Sequence, residues 1–474
     1  MSQPYNGSKM ARLYPFRALR YDTSRVNLAD VVTQPYDKIS PAMQDRYYAK
    51  SPYNLIRIVL GKRDTGDTDT ESVYTRAAED LRAWRAEGVL KQEAEPALFG
   101  YSQTYTVPGT GPAAGTDPVV QERRGFIALG HLHDYADKVV FRHEQTFPKH
   151  KSDRLALFKA LRAYPEQIYM LYSDPTFTAE HLIFEGPDAH PRPADLEVTD
   201  EYAVTHRLWR LADPVRIREV IAAMADKQLI IADGHHRYET SVAYMQERAA
   251  ELGRASALSG SPEASSATTE LPAPPFPEAA MMMTFVNMEA PGITILPTHR
   301  VIFGLPRFNG RAFAQQAEHS FTVEELPNTA DGHYQGATNL LKRLHETPGT
   351  AFIAATRDGD YLLTPKPEAI TVALAGASPR QAQLDVVQLH RIVLQDLLGL
   401  DEEAVRAGNN VRYVREAQDA LQQVGSGNAD VAFLIKPVTL DQMKDISLHL
   451  EVMPQKSTDF YPKLLSGLAM YALD

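Results

Sequence analysis

A short apolar strand that ends abruptly in polar residues and continues as an amphipathic helix is the feature that most constrains this chain. The strand is the run QLIIA at 228–232, and the polar run after it is Asp233-Gly234-His235-His236-Arg237. The residues that follow, YETSVAYMQERAAEL, place apolar side chains at helical spacing. A strand–turn–helix unit of this kind is typical of proteins in which helices cover a sheet.

The rest of the chain also alternates between helical and strand-like segments. Ser40-Pro41 and Asp213-Pro214 are typical helix starts, and the apolar run IRIVLG at 56–61 predicts a buried strand. Asp358-Gly359 lies between two strand-like runs and predicts a hairpin. The segment 410–446 alternates strand, helix, strand and helix. These patterns predict an α+β (mixed α/β) fold with several mixed sheets and flanking helices.

Composition and charge exclude several classes of protein. The 474 residues are 44% hydrophobic, enough to bury a large core, and none of them is cysteine. Thiol nucleophiles, iron–sulfur clusters and cysteine-ligated zinc are therefore excluded. The net charge of −11 argues against nucleic acid as a partner. No apolar run reaches the roughly 20 residues that span a bilayer, and we expect a cytoplasmic protein without a membrane partner.

The order of loop-like, strand-like and helical segments in the sequence predicts four regions. We expect a loose N-terminus at 1–13, an N-terminal α/β region at 14–195, a region with the DGHHR motif at 196–305, and a C-terminal α/β region at 306–474. The stretch 252–278 is rich in Ser, Ala, Pro and Glu and predicts a mobile insertion. A surface loop inside one domain and a boundary between domains both fit this stretch.

The turn after the QLIIA strand is the strongest candidate site. Gly234 lets backbone N–H groups approach an anion at a helix N-terminus, and Arg237 adds a bidentate clamp for phosphate or carboxylate. Asp233 suits a metal ligand or a base, and His235 and His236 suit donors to phosphoryl oxygens or proton shuttles. In the alternative interpretation Asp233 only caps the helix and the histidines fill a polar rim. A cap alone does not explain the whole cluster.

A second cluster lies at 453–463, where Lys456, Ser457, Thr458 and Lys463 surround a proline-bounded loop. Lysine charges and hydroxyl donors suit anion binding, although the glycine spacing of a P-loop is absent. The competing interpretation is that Ser457 or Thr458 caps a final apolar helix and that the lysines are solvated.

A third cluster is the basic segment 141–154, in which His143 and Glu144 could form an acid–base pair or ligate a group. A solvated basic loop fits it equally well. Smaller signals are Pro35-Tyr36-Asp37 and Arg300, each as compatible with a structural as with a functional role. Metal ligands stay unassigned.

Taken in order, several segments resemble one family of uncharacterised bacterial and archaeal proteins, domain of unknown function 1015. The resemblance extends over nearly the whole chain from Tyr14 onward. Two features depart from the family pattern: the segment HEQTFPKHKSDR has no small Gly-containing linker after its Thr, and the stretch 252–278 is long. The resemblance rests on YPFRALRYD (14–22), QPYDKIS (34–40), HEQT with the following DRL (143–155), HRLWRL (206–211), DGHHRYET (233–240), ILPTHR (295–300) and MPQKSTDFYPKLLSGL (453–468).

The DGHHR segment is in turn similar to the phosphate-contacting motif of the ParB/sulfiredoxin-like superfamily, whose free L-serine kinases carry a closely similar Asp-Gly-x-His-Arg sequence. The resemblance implies a ParB/sulfiredoxin-like element around this motif. It also implies that Gly234, His235, His236 and Arg237 contact nucleotide phosphates and that Asp233 lies near the transferred group.

The leading hypothesis is a phosphoryl-transfer enzyme on a small polar metabolite, specifically an ATP-dependent free L-serine kinase that makes O-phosphoserine with Mg²⁺. Asp233 or Glu144 would accept the proton of the substrate hydroxyl, with His235 and His236 as further catalytic candidates. The phosphate- or substrate-binding candidates are Gly234, Arg237, His143, Arg300, Lys456, Ser457, Thr458 and Lys463.

Two alternatives stay open. One is a phosphatase or other hydrolase that uses the same phosphate cradle with water as the acceptor. The other is a nucleotide-dependent binding module like the ParB partition proteins. The acidic balance and the lack of a helix-turn-helix pattern count against the second alternative, and the basic stretch 142–154 counts for it. Whether the chain forms a homo-oligomer is open.

Overall fold

A computed structural model describes residues 11–68, 70–111, 117–145, 148–185, 193–254, 270–327 and 336–474. Residue contacts divide the chain into two compact units. The first unit contains Met1–Arg142, Thr146–Ile293 and Pro462–Asp474, and the second contains His143–Gln145 and Thr294–Tyr461.

The division into four regions that the sequence predicts stays a prediction. Most of the loose N-terminus (1–10) and much of the insertion at 252–278 (255–269) lie outside the described residues.

The strands, numbered in chain order, are β1 (Leu13–Tyr14), β2 (Leu19–Tyr21), β3 (Leu90–Gln92), β4 (Leu98–Thr106), β5 (Val120–His131), β6 (Val140–Phe141), β7 (Ala163–Tyr164), β8 (Ile168–Tyr172), β9 (Leu196–Thr199), β10 (Thr205–Leu211), β11 (Leu229–Asp233), β12 (Ala280–Asn287), β13 (Thr294–Leu296), β14 (His299–Ile302), β15 (Phe321–Leu326), β16 (Phe352–Thr356), β17 (Gly359–Pro365), β18 (Val411–Val414), β19 (Val431–Leu434), β20 (Asp459–Tyr461) and β21 (Tyr471–Ala472).

The α-helices are α1 (Leu28–Val31), α2 (Pro41–Lys50), α3 (Ile56–Val59), α4 (Val73–Ala86), α5 (Pro148–Leu161), α6 (Thr178–Phe184), α7 (Pro214–Met224), α8 (His235–Glu251), α9 (Gly310–Ala317), α10 (Ala337–Glu346), α11 (Pro367–Ala373), α12 (Pro379–Ala382), α13 (Asp385–Gln388), α14 (Glu402–Ala407), α15 (Ala417–Gly425) and α16 (Leu440–Leu448). A π-helix, Leu389–Leu397, continues α13.

The first unit is built on a nine-stranded sheet with the order β6-β11-β8-β12-β5-β4-β10-β9, to which β1 adds by pairing with β5. Strand β11 runs parallel to β6, and β12 runs parallel to β8. The other neighbouring pairs are antiparallel. Helices cover this sheet, with α8 packed against β8, β12 and α5. This arrangement confirms the α+β class with mixed sheets.

The second unit is a six-stranded antiparallel sheet with the order β15-β17-β16-β19-β14-β18. Side chains that alternate along β16 enter two separate cores: Phe352 and Ala354 pack on one face, and Ile353 and Ala355 on the other. Because successive strand residues point to opposite faces, both faces of this strand need apolar cover. Helix α9 and the π-helix cover one face, and α10 and α15 cover the other.

Two helix caps and one hairpin that the sequence predicts are confirmed by the structure. Ser40 caps α2 by accepting a hydrogen bond from the Met43 amide at 3.3 Å. Asp213 caps α7 in the same way through the Val215 amide at 2.9 Å. Strands β16 and β17 form the hairpin expected at Asp358-Gly359.

The strand expected at 56–61 is wrong, because residues Ile56–Val59 form helix α3. Asn54 starts this helix by accepting a hydrogen bond from the Ile56 amide at 3.0 Å. The helix buries Ile56, Ile58 and Val59 completely. A short apolar run fits a buried strand and a buried helical turn equally well, so periodicity does not separate the two.

The final apolar helix expected to follow the 453–463 cluster is also wrong. The segment from Pro462 onward is irregular apart from β21. Its backbone forms bridges with two distant residues, since Ser466 pairs with Thr33 and Met470 pairs with Leu19. Leu464, Leu465 and Leu468 of this segment are all buried, so the segment is apolar because it lies inside the first unit.

We predict that Gly292 tolerates no side chain. Its φ of 85° lies in the left-handed region, and an added Cβ would lie 2.2 Å from the Glu122 carbonyl oxygen. Gly88 is the matched control in the same unit, since its φ is 72° and an added Cβ meets nothing nearer than Arg25 at 3.8 Å. We expect Gly88→Ala to cost about 1–2 kcal/mol and Gly292→Ala about 1–3 kcal/mol more. Equal costs in urea unfolding would contradict this packing.

We also predict that one buried carboxyl makes the second unit less stable at high pH. Asp360 on β17 is 3% exposed, and burial raises its pKa to about 6. The folded state therefore holds this proton more tightly than the unfolded chain, so its stabilising effect is complete below about pH 4 and is lost as the pH rises through about 6. As the pH rises from about 4 to about 6, the thermal midpoint of Asp360→Asn should therefore increase relative to that of the wild type. Glu325→Gln, at an exposed carboxyl of β15, should show no such gain.

Candidate active site

The candidate site of the first unit begins where β11 ends. The register of β11 against β8 shifts between Ile231 and Asp233, so the last residue of the strand departs from regular pairing. Gly234 then adopts a φ of 96°, and α8 begins at the next residue. An added Cβ on Gly234 would lie 3.2 Å from both the Arg237 guanidinium and the Ile168 side chain. The turn therefore requires glycine for its backbone angle and its space.

The carboxylate of Asp233 is held between two cations. Its Oδ1 accepts a hydrogen bond from Lys463 Nζ at 3.3 Å, and its Oδ2 accepts one from Arg237 Nη2 at 3.4 Å. The Asp233 side chain is 23% exposed, whereas those of Lys463 and Arg237 are 6% and 5% exposed. The carboxylate is therefore the part of this ion-pair network that solvent and a ligand reach most easily.

Arg237 connects Asp233 to a second carboxyl that is fully buried. Its Nη1 donates to the Gln167 carbonyl oxygen at 2.7 Å and lies 3.9 Å from Glu166 Oε1. Burial lowers the pKa of Arg237, but the charges of Glu166, Asp233 and Asp37 raise it, and the net shift is upward. Arg237 is therefore a fixed positive charge at the first turn of α8.

Glu166 also receives neutral donors. Its Oε1 accepts from the Tyr36 amide at 3.0 Å and from Ser466 Oγ at 3.4 Å. Burial raises the pKa of Glu166, and the charges of Arg237 and Arg154 oppose this shift. Arg154 stacks on the Tyr36 ring, with 4.2 Å between its guanidinium carbon and the ring centroid. Charge compensation is therefore spread over distant segments of the chain.

Two buried side chains hold the backbone beside Lys463. Gln103 Nε2 donates to the Lys463 carbonyl oxygen at 2.8 Å, and Arg123 donates to both Gln103 Oε1 and the Pro462 carbonyl oxygen. The Arg123 guanidinium also lies over the Tyr169 ring at 4.8 Å. Because Lys463 is long and flexible, fixing its backbone restricts where its ammonium group can reach.

The two adjacent histidines differ in their surroundings. His235, the first residue of α8, is buried, and His236 is half-buried. The first amides of an α-helix have no acceptor within the helix and so suit an anion. The structure thus brings Asp233, Gly234, Arg237 and Lys463 together at one helix N-terminus.

A separate cluster of the sequence-derived candidates lies in the second unit. Glu144 Oε1 accepts from the amides of Ser457 and Thr458 at 3.0 and 3.1 Å. His143 Nε2 lies 2.8 Å from Thr458 Oγ1. Lys456, which is exposed, has a φ of 56° and shapes the turn that directs these amides. The sequence predicts that Ser457 and Thr458 bind an external anion, but in the structure their amides donate to the carboxylate of Glu144.

Arg300 lies in the second unit as well, on β14. It is fully buried, and its Nε donates to His390 Nε2 at 3.3 Å. Its guanidinium carbon is 5.2 Å from the centroid of the Tyr413 ring.

Sequence reasoning missed Glu166, included Arg154 only as part of the basic segment 141–154, and left Tyr36 undecided. The signal for Tyr36 and Arg154 was present, since QPYDKIS and the DRL after HEQT belong to the segments that carry the family resemblance. Glu166 had no comparable signal. Across the described residues, no group of three or more His, Asp or Glu side chains is arranged to hold a metal ion by itself.

The sequence matches the family described as a protein of unknown function, DUF1015, over residues 13–387. The match covers most of the chain, and the protein belongs to this family, as the resemblance indicated. No curated protein matches the sequence. In the part of the chain that the structure describes, no helix combines the length and the apolar character needed to cross a membrane.

Three solved structures align with this one at TM-scores of 0.31 to 0.35 and identities of 11% to 13%. A free serine kinase in complex with AMP has a TM-score of 0.31 and 11% identity, with 68% of this chain and 83% of that chain covered. A conserved hypothetical protein from Pyrococcus furiosus has a TM-score of 0.31 and 11% identity, covering 70% and 92%. SbnI with a C-terminal truncation, from Staphylococcus aureus, has a TM-score of 0.35 and 13% identity, covering 73% and 87%.

We predict that Arg237 and Glu166 stabilise the first unit as a pair. Arg237→Met should cost about 3–5 kcal/mol, because it leaves a buried carboxyl without its cation. Adding Glu166→Gln to that variant should restore part of the loss, which a double-mutant cycle in urea measures.

Arg207→Met serves as the control, because Arg207 pairs with Glu197 at the surface, where the two side chains are 32% and 56% exposed. We expect it to cost less than about 1 kcal/mol. If Arg237→Met and Arg207→Met cost the same, or if Glu166→Gln restores nothing, the pair does not carry this stability.

Proposed function

We propose that the protein is a phosphoryl-transfer enzyme that acts on a small hydroxylated metabolite, with ATP as the donor and free L-serine as the specific substrate. The observation that carries this proposal is the accessible Asp233 carboxylate, which lies between Lys463 and Arg237 at the N-terminus of α8. Phosphoryl transfer requires the positioning of a base and the neutralisation of charge more than it requires covalent chemistry. The residues of this site supply both.

Asp233 is the base in this mechanism. It takes the proton from the substrate hydroxyl as that oxygen forms its bond to the γ-phosphorus, while the bond from that phosphorus to the bridging oxygen breaks and ADP leaves. Lys463 and Arg237 hold the Asp233 carboxylate in place by ion pairs at 3.3 and 3.4 Å. The same two cations stabilise the negative charge that develops on the transferred group.

The amides at the start of α8 contribute to phosphate binding. They point along the helix axis toward the turn at Gly234, where the helix dipole favours negative charge. His236 is half-buried there, so its imidazole suits a donor to a phosphoryl oxygen. Lys456, Ser457, Thr458, His143 and Glu144, which the sequence predicts as binding or catalytic residues, belong to the second unit, where Glu144 binds the amides of Ser457 and Thr458. Their predicted roles stay predictions.

A single accessible carboxylate fits Mg²⁺, which is usually held by one or two carboxylates together with substrate phosphates and waters. Because Asp233 is the base in this mechanism, the ATP phosphates and waters would supply the direct ligands of the ion beside it. Magnesium bound with ATP would neutralise charge on the phosphates.

The choice of serine rests on the motif Asp233-Gly234-His235-His236-Arg237, which resembles the Asp-Gly-x-His-Arg sequence of free L-serine kinases. Phosphorus NMR of the protein with ATP, Mg²⁺ and L-serine, beside a serine-free sample, tests it directly. Serine-dependent O-phosphoserine is the expected result. Release of inorganic phosphate alone would favour the hydrolase alternative, and an unchanged nucleotide in both samples would overturn the proposal.

We predict that Asp233→Asn abolishes this turnover, by a factor of about 10²–10⁴, while the protein stays folded. Asn keeps the size of the side chain and removes the charge and the basic oxygen. Asp213→Asn is the matched control, because Asp213 also ends a loop before a helix and asparagine caps helices as well as aspartate. The same NMR assay measures both variants. Full activity of Asp233→Asn would rule out Asp233 as the base.

A further inference from the structure

The second unit contains a cavity that the proposed reaction does not use. Its volume is about 150 Å³, which suits a small metabolite and is well below the size of typical nucleotide or drug sites. Val387, Leu400 and Val405 on its walls are buried, whereas Arg391 and Glu402 are exposed. The cavity therefore has an apolar interior with charged groups toward solvent.

Several polar side chains stand in the wall of this cavity, among them Gln145, Gln381, Gln395 and His390. His390 lines it and is half-buried. The Nε2 atom of its ring accepts a hydrogen bond from Arg300 Nε at 3.3 Å. Because Arg300 is always a donor, Nε2 is the acceptor and the hydrogen of the neutral ring is on Nδ1. The Nδ1–H group is therefore the donor of this ring that Arg300 does not engage.

Among the described residues, no carboxylate forms an ion pair with Arg300. Its Nη1 donates to the Thr298 carbonyl oxygen, and its buried Nη2 has no hydrogen-bond partner among the described residues. Burial lowers the pKa of Arg300 to about 10, against the opposing effects of Tyr413 and Glu144. Burial and the same arginine also lower the pKa of His390, which keeps its ring neutral. A buried cation of this kind favours negative charge nearby.

The local backbone adds an independent observation. His390 lies in the first turn of the π-helix Leu389–Leu397, a conformation that is rare and occurs frequently at functional sites. Later in the same helix the Leu398 amide donates to the Val393 carbonyl oxygen, five residues earlier. His390 thus lines the cavity from a π-helical turn.

We propose that this cavity binds a small carboxylate that carries an aliphatic group. The carboxylate accepts a hydrogen bond from Nδ1 of His390, and the aliphatic part packs on Val387, Leu400 and Val405. Arg300 is a positioning residue. Its hydrogen bond to Nε2 of His390 fixes the tautomer of the histidine, and its guanidinium supplies positive charge. The site is separate from the one at Asp233 and does not depend on the phosphoryl-transfer proposal.

Titration calorimetry on the full chain, without nucleotide, tests this site with sodium 3-methylbutanoate as the probe. The matched neutral probe is 3-methylbutanamide, which has the same shape and no charge, and inorganic phosphate is an anion without an aliphatic part. We expect the carboxylate to bind and the other two probes not to bind. Equal binding of the amide or of phosphate, or no binding of the carboxylate, would overturn the proposal.

Two variants separate this site from adventitious binding. His390→Phe keeps an aromatic ring and removes the donor, and it should weaken carboxylate binding by about 10- to 100-fold. Leu400→Trp fills the cavity and should remove binding.

His449→Phe is the control, because His449 is an exposed histidine next to the end of α16 in the same unit. It should bind as the wild type does, and so should Asp233→Asn. Unchanged affinity in His390→Phe, with its folding verified by circular dichroism, would overturn the proposal even if Leu400→Trp fails to fold.

Discussion

In the first unit, the charges of Arg237, Glu166 and Asp233 compensate one another. Their attraction offsets the free-energy cost of removing charged groups from water. A guanidinium inside a protein is tolerated only if carboxylates and carbonyl oxygens surround it. Arg237 has both, through Glu166, Asp233 and the Gln167 carbonyl oxygen. The position of each of these groups is therefore linked to that of the others, and the sheet and α8 must place them together.

This compensation connects parts of the chain that are far apart in sequence. The Tyr36 amide and the Ser466 hydroxyl both donate to Glu166, and they are separated from it by 130 and 300 residues. Lys463 reaches Asp233 across 230 residues. The local turn at Gly234 gives the site its geometry, whereas these long-range contacts give it its charge. A substitution in any of these segments therefore alters the electrostatics at Asp233, even where the substituted residue does not itself contact a ligand.

The sequence revealed the part of the site that is local. A strand, a glycine turn and a helix follow one another between residues 229 and 251, so their order and the placement of Asp233 and Arg237 could be read from periodicity and turn chemistry. Glu166 could not be found in this way, because nothing in a single sequence distinguishes a buried glutamate from an exposed one. Ser457 and Thr458 show the same limit, since the sequence displays donors but not the Glu144 carboxylate that they bind.

The first unit is discontinuous, and its last segment is Pro462–Asp474. The strand β21 pairs with β7, and Lys463 belongs to the same segment. During synthesis, the second unit is therefore complete before the first unit receives this segment. Proteins fold as they leave the ribosome, with earlier segments emerging first. The Asp233 carboxylate thus acquires its lysine only after the second unit has been synthesised, and a ribosome that stalls before residue 462 leaves a chain without that half of the ion-pair network.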